Sequence, residues 1–183
     1  LKGYSDVILT DLPGIYSLSP YTLEEVVARD YLLSERPDAI LNLVDGTNIE
    51  RNLYLSTQLT ELGIPVIMAV NMMDLVEKNG DQIQIEELSR EMGCEAVEVC
   101  ALKGTGIREA AEKAVQAARR GEAPMPPRIF SEQTEAVIQK VEQQIGGDIS
   151  DCQKRFFAVK LLERDDKIGK WMRETPDVSA DIA

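Results

Sequence analysis

The sequence predicts an α/β fold: a mostly parallel sheet with flanking helices, followed by a small all-helical module. Three observations predict it. Short apolar runs alternate with amphipathic stretches from Asp6 to about Gly121, the pattern of strands joined by crossover helices. Three polar motifs stand at the ends of apolar runs, where such sheets place their ligand loops. After Gly121-Glu122-Ala123-Pro124-Met125-Pro126-Pro127 the strand signal stops and only helical periodicity remains.

The elements follow in order. Val7, Ile8 and Leu9 lie in a candidate strand over 6–10, and further strands are expected over 39–44, 66–70 and 96–100, each a short apolar run. Thr22 with Glu25 three residues on is a capping box, opening a helix towards Ser34. The next helix starts near Glu50 and stops at Gly63, a residue that takes the left-handed cap conformation. A short helix over 85–92 stops at Gly93, and the stripe Ile107, Ala110, Ala111, Ala114, Val115, Ala118 gives a helix ending near Gly121. Prolines 124, 126 and 127 make a stiff connector. Beyond it, Ser131 opens a helix bearing Val137, Ile138, Val141 and Ile145. Ser150 with Gln153 reads as a second capping box before Phe156, Phe157, Leu161 and Leu162, and a third helix is expected around 167–172 with Trp171. The domains are therefore expected at 1–123, with a Pro-rich linker at 124–127 and a helical module at 128–183.

Composition narrows the classes. The chain has 183 residues, 44% hydrophobic and 28% charged, with a net charge of −12. That charge opposes electrostatic binding to nucleic acid or to an anionic membrane surface. No run approaches the roughly 18–20 apolar residues of a membrane span, and no secretory signal pattern is present. Cys94, Cys100 and Cys152 have no metal-like spacing and read as reduced structural thiols. There is no histidine, so His-dependent catalytic triads are excluded.

The chemistry is concentrated in three places. Asp11-Leu12-Pro13-Gly14 ends the first apolar run, and a carboxylate there suits a hydrated Mg²⁺ beside a terminal phosphate. Asn71-Met72-Met73-Asp74 ends the 66–70 run, and Asp74 can accept two parallel hydrogen bonds from the N1–H and N2–H₂ edge of guanine. Adenine offers an acceptor at N1 and no 2-amino group, so the same carboxylate rejects it. Cys100-Ala101-Leu102-Lys103-Gly104 follows the next strand, where a small residue's backbone N–H can meet guanine O6. Each motif alone has an ordinary explanation: a strand-end turn for Asp11 and Gly14, a helix cap for Asn71 and Asp74. Their order at successive strand ends favours GTP. A phosphate-cradling G-x-x-x-x-G-K-[ST] loop is absent from the sequence. The P-loop GTPase-like sheet is therefore expected to be incomplete at the N-terminus and unable to close a nucleotide site alone.

The chain resembles the cytosolic GTP-binding portion of the ferrous-iron transporter FeoB, a prokaryotic family, without its phosphate-loop segment and membrane domain. The resemblance rests on Asp11-Leu12-Pro13-Gly14-Ile15-Tyr16-Ser17-Leu18-Ser19-Pro20, on Val44-Asp45-Gly46-Thr47-Asn48-Ile49-Glu50-Arg51-Asn52-Leu53-Tyr54-Leu55, and on Arg155-Phe156-Phe157-Ala158-Val159-Lys160-Leu161-Leu162-Glu163. It implies that Asp11 holds Mg²⁺ through water and that Gly14 senses the γ-phosphate. Ile15, Tyr16, Ser17 and Leu18 would then head the second switch, and Asn71, Met72, Met73, Asp74, Cys100, Ala101 and Leu102 would hold the base. Met72 stands where the family of GTPases usually has Lys, Cys100 where Ser is usual, and Ile15 where many carry a water-orienting Gln. The last implies slow hydrolysis of GTP to GDP and phosphate, with no catalytic residue assigned and with this stretch alone inactive. The resemblance further implies a place on the cytoplasmic face of the inner membrane, partnership with an iron-conducting membrane domain and with small accessory Feo proteins, and no nucleic-acid partner. It leaves self-association open. The competing readings are a soluble ribosome- or tRNA-associated GTPase and a non-catalytic interaction module with a degenerate GTPase fold.

Overall fold

The computed structural model describes residues 3–19, 21–121 and 125–181. Its first part alternates α1 (Leu23–Ser34), β1 (Ile40–Asp45), α2 (Ile49–Thr60), β2 (Val66–Asn71), α3 (Met73–Asn79), α4 (Ile85–Met92), β3 (Glu95–Glu98) and α5 (Ile107–Arg120). The strands form one parallel sheet in the order β1-β2-β3, with Ile40 opposite Val66 and Ile67 opposite Glu95. β2 is central, and Val66 through Val70 are all buried, because a parallel strand covered on both faces has no solvent side to keep polar. One layer of core lies under α5, where Ile67, Ala69, Val97 and Val99 meet Ala110 and Ala117. The other face, with Val44, Val66, Met68 and Val70, packs into a larger core.

That larger core continues into α6 (Glu132–Gln144) and α7 (Asp151–Leu162). Ile138, Val141, Phe156 and Phe157 join Leu59, Leu62 and Ile64 in it, so the helical module gains its burial from the sheet-bearing part, as a module of about 55 residues requires. Gly63 makes the approach possible. Its φ is +67°, and a Cβ there would lie 2.4 Å from the carbonyl oxygen of Cys152. A short 3₁₀ turn over Ile168–Trp171 closes the module.

The capping box at α1 is present: Thr22 Oγ1 accepts from the Glu25 N–H at 3.2 Å, and Glu25 Oε2 accepts from the Thr22 N–H at 3.1 Å. Four expectations need correction. Residues 6–10 form no strand; Ile8 and Leu9 are 91% and 69% exposed, because no strand lies beside them to complete a ladder. β1 accordingly keeps one edge without a strand partner among the described residues. At Ser150 the reciprocal cap is absent: its hydroxyl donates to Gln153 Oε1 at 2.8 Å and accepts from Arg36 at 3.1 Å instead of capping a backbone N–H. The third helix of the module is only the 3₁₀ turn, since Gly169 at its centre favours no helix. Finally, the first apolar turn after β2 forms α3, a helix the periodicity did not show. Pro124 of the linker lies outside the described residues.

Candidate functional site

Two loops at the carboxyl ends of β2 and β3 meet. Asn71 is the last residue of β2, and its side-chain Oδ1 accepts a hydrogen bond from the Ala101 N–H at 3.0 Å. Neither Asn71 nor Asp74 caps α3. The N-cap is Met72, held at φ +64° with no side-chain cap bond. The helix-cap explanation of the Asn-x-x-Asp spacing therefore fails here, and the Asn is committed to fixing the second loop.

That second loop is a tight turn. Cys100 and Thr105 exchange backbone hydrogen bonds at 3.0 and 3.2 Å, and Gly104 donates to Ala101. Gly106, at φ +74°, closes it. A Cβ at that position would stand 2.0 Å from the Glu98 carbonyl oxygen, so no residue larger than glycine lets the turn return to the start of α5.

Asp74 lies in the first turn of α3, where the helix dipole favours a carboxylate. The Cys100 thiol hydrogen-bonds its carboxylate and the Lys103 ammonium sits 3.6 Å away. Together they hold Asp74 below the ordinary carboxylate range against the opposing effect of desolvation. The result is an ionised acceptor at the mouth of the two loops. Cys100 thus acts on the carboxylate. Around it, Leu102 projects into solvent at 91% exposure and Met72 is partly exposed, whereas Met73 turns inward into the core.

The first candidate motif is placed differently. Asp11, Pro13 and Gly14 are exposed on an irregular stretch, while Leu12 and Ile15 pack partly against the larger core. The stretch is tied down by the Tyr31 hydroxyl donating to Thr10 at 3.1 Å and by Arg51 lying 3.8 Å over the Tyr16 ring. Ser17 and Leu18 are buried, and the Gln58 Oε1 accepts from the Ser17 hydroxyl at 3.3 Å and from the Leu18 N–H at 2.6 Å. Thus the structure joins Asn71, Asp74, Cys100, Ala101 and Lys103 in one place, while Asp11, Pro13 and Gly14 stand exposed on an irregular stretch. The sequence gives no signal for Gln58, and it places Lys103 in the third motif without assigning it a role. Gln58 lies between Thr57 and Leu59 on α2 and gives no local signal, whereas Lys103, two residues past Ala101, gains its role from the 3.6 Å approach to Asp74. Asp45, within the second stretch of the resemblance, spends its carboxylate on its own turn, accepting from Thr47 N–H and hydroxyl at 2.9 and 2.7 Å and from Asn48 at 3.2 Å.

A mostly parallel sheet whose carboxyl-end loops carry Asn-x-x-Asp and a backbone N–H returned to that Asn is a P-loop GTPase-like domain. Comparison with known proteins gives the family. The profile described as Ferrous iron transport protein B matches residues 1–114, and that of the FeoB cytosolic helical domain matches residues 130–183. The chain belongs to the FeoB family. It is 40% identical over 181 residues to the Fe(2+) transport protein A/Fe(2+) transporter FeoB fusion protein of Porphyromonas gingivalis, covering 95% of this chain and 21% of that one. It is 37% identical over 163 residues to the Fe(2+) transporter FeoB of Escherichia coli K12, covering 87% and 21%. The chain thus spans about a fifth of the length of these curated relatives. Among solved structures, mGMPPNP-bound NFeoB from S. thermophilus is 42% identical with a TM-score of 0.84, covering 94% of this chain and 64% of the other. NFeoB from S. thermophilus bound to GDP.AlF4- and K+ gives 42% identity, a TM-score of 0.86, and coverage of 94% and 67%.

Proposed function

We propose that this chain is the guanine-reading part of a GTP-binding regulatory module in a ferrous iron transporter, coupling nucleotide state to Fe(II) passage through a membrane domain. The observation that carries it is the joined pair of loops: Asn71 Oδ1 holds the Ala101 N–H while Asp74, kept anionic by Cys100 and Lys103, stands beside them. An ionised carboxylate that already tolerates donors fits the paired N1–H and N2–H₂ of guanine. The S. thermophilus NFeoB structures bound to mGMPPNP and to GDP.AlF4- support the same reading.

Residue roles follow. Asp74 reads the base, the Ala101 N–H, which Asn71 Oδ1 holds at 3.0 Å, shares its proton with O6 when the base is bound, and the Met72 side chain covers one face of the ring without a charge. Exposed Asp11 is the residue that would hold Mg²⁺ through water. With GTP bound, the metal would supply neutralisation of charge on the phosphate oxygens. Gly14 and the Ile15–Leu18 stretch form the second switch, anchored by Gln58. Ile15 cannot hydrogen-bond a nucleophile, so hydrolysis is slow. Because the 183 residues contain no phosphate-cradling motif, the chain on its own hydrolyses GTP no faster than buffer. Residues 1–123 make the nucleotide-binding part and 128–183 the helical part, joined by 124–127. The whole lies on the cytoplasmic face of the inner membrane. Small accessory Feo proteins are partners, as the fused transport protein A of the P. gingivalis relative suggests.

The test uses the polypeptide extended with a phosphate-loop segment, titrated with a fluorescent GTP analogue. Tight binding that Asp74→Asn weakens by at least a hundredfold is expected, since the amide keeps one acceptor oxygen but turns an NH₂ donor against a guanine donor. Binding of ATP and GTP with equal affinity would overturn the assignment.

A further inference from the structure

Glu61 follows the last turn of α2 and is 3% exposed, facing the helical module. Across from it, Arg155 of α7 grips Glu135 of α6 as a fork, NH1 to Oε2 at 2.7 Å and NH2 to Oε1 at 2.8 Å. The third guanidinium donor, the Nε–H, is buried without a hydrogen-bond partner. Its nitrogen lies 4.0 Å from Glu61 Oε1, about an ångström beyond hydrogen-bond reach. A buried N–H donor left unpaired next to a carboxyl group is an unstable arrangement if that carboxyl is charged.

The surrounding charges explain why it is tolerated. Lys160 of α7, fully buried, is held by the Ser19 hydroxyl at 2.9 Å and by Glu163 at 2.7 Å. Arg155 and Lys160 are thus matched by Glu135 and Glu163, while Glu142 of α6 adds a further carboxyl near Arg155. Glu61 is a surplus acid in a cluster already balanced.

We propose that Arg155 is shared between two carboxyl groups, and that one proton on Glu61 decides the sharing: neutral Glu61 leaves the guanidinium on Glu135 of α6, whereas ionised Glu61 draws its Nε–H onto the end of α2. The Glu61 O–H bond breaks, the proton leaves to solvent with the electron pair kept on the carboxylate, and no other covalent bond changes. Burial pushes the Glu61 carboxyl up to about 7, opposed by Arg155 and Lys160 and reinforced by Glu163 and Glu135, so the change falls near neutrality. Gln58, which holds Ser17 and Leu18, lies one turn earlier on the same helix. A shift of the α2 end therefore reaches that segment directly. The device needs no bound nucleotide.

The experiment is ¹³C and ¹⁵N NMR of the 183-residue chain between pH 5 and 8.5, following the Glu61 side-chain carboxyl and the Arg155 Nε–H. The Glu61 carboxyl is expected to titrate with a midpoint near 7. The Arg155 Nε–H is expected to move downfield and exchange more slowly with that same midpoint. Glu61→Gln, which keeps shape and removes the charge, is expected to abolish the Nε–H response. A Glu61 midpoint in the ordinary carboxylate range overturns the proposal. So does an Arg155 Nε–H that stays unchanged while Glu61 titrates, or that titrates equally in Glu61→Gln.

Discussion

Gly63→Ala tests how tightly the helical module is seated on the sheet-bearing part. Gly63 has φ +67°, and an added Cβ would lie 2.4 Å from the Cys152 carbonyl oxygen, 2.7 Å from its Cβ and 2.9 Å from its carbonyl carbon. The left-handed conformation alone costs an L-residue roughly 1–2 kcal/mol. The neighbour is backbone in the first turn of α7, so relief requires moving a helix whose Phe156 and Phe157 are 0% and 2% exposed. Overpacking of that kind costs about 1–3 kcal/mol more. The sum, about 2–5 kcal/mol, is a large share of the roughly 5–15 kcal/mol that stabilises a domain. At about 2–4 °C per kcal/mol for a chain of this size, the melting temperature is expected to fall by about 4–20 °C. The assay is thermal unfolding followed by circular dichroism, with Gly80→Ala as the control. Gly80 has φ +84° but open space around it, so only the conformational cost of about 1–2 kcal/mol applies. If Gly63→Ala melts with Gly80→Ala, the close seating of α7 on the turn after α2 is refuted.

Other outcomes follow from buried charges. Glu61 has a folded-state pKa raised to about 7 from 4.5, so the folded protein binds its proton more tightly than the unfolded chain does. The stability it contributes is present below about 4.5 and is lost as pH rises through 7; at one pH unit per 1.36 kcal/mol the ceiling is about 3 kcal/mol. Urea unfolding is expected to show that loss between pH 5 and 8 in the wild type and a flatter profile in Glu61→Gln, and equal profiles would contradict it. Arg29 on α1 pairs with Asp165 at 2.8 Å with the two side chains 1% and 8% exposed, and its Nε and one terminal nitrogen have no partner. Arg29→Ala leaves the Asp165 carboxylate without its guanidinium, holding the Lys167 N–H at 3.0 Å, at a cost of about 3–5 kcal/mol, whereas Arg29→Met with Asp165→Leu recovers most of it. Urea midpoints of the two variants check the contrast, and equal losses would refute it.

Local chemistry decided which parts of this molecule were legible in the sequence. Thr22 with Glu25 announced α1 because both halves of the cap lie within four residues. The run 66–70 announced the central strand because its burial on both faces leaves no polar position. Residues 6–10 carry an equally apolar run, yet a strand exists only when a neighbour completes its ladder, and that neighbour is not a local property. Ser150 matched a cap spacing, but Arg36, distant in sequence, claims its hydroxyl. At the site, Asn71, Asp74 and Ala101 were readable because they lie at or within a few residues past the ends of strands in a parallel sheet. The supporting Gln58, the Cys100 thiol on Asp74 and the Arg155 fork are products of packing between distant helices and loops, and no spacing in the chain encodes them.

The central claim is that the loops after β2 and β3 read a guanine ring through Asp74. The most direct measurement is an NMR titration of the chain with guanosine, adenosine and xanthosine monophosphates, following the backbone amides of Asn71 and Ala101 in the wild type and in Asp74→Asn. Guanosine monophosphate alone is expected to shift these amides in the wild type. In the variant the response is expected to pass to xanthosine monophosphate, whose 2-oxo group can accept from the new amide. Equal shifts with adenosine monophosphate, or a guanosine response untouched by Asp74→Asn, would contradict the claim.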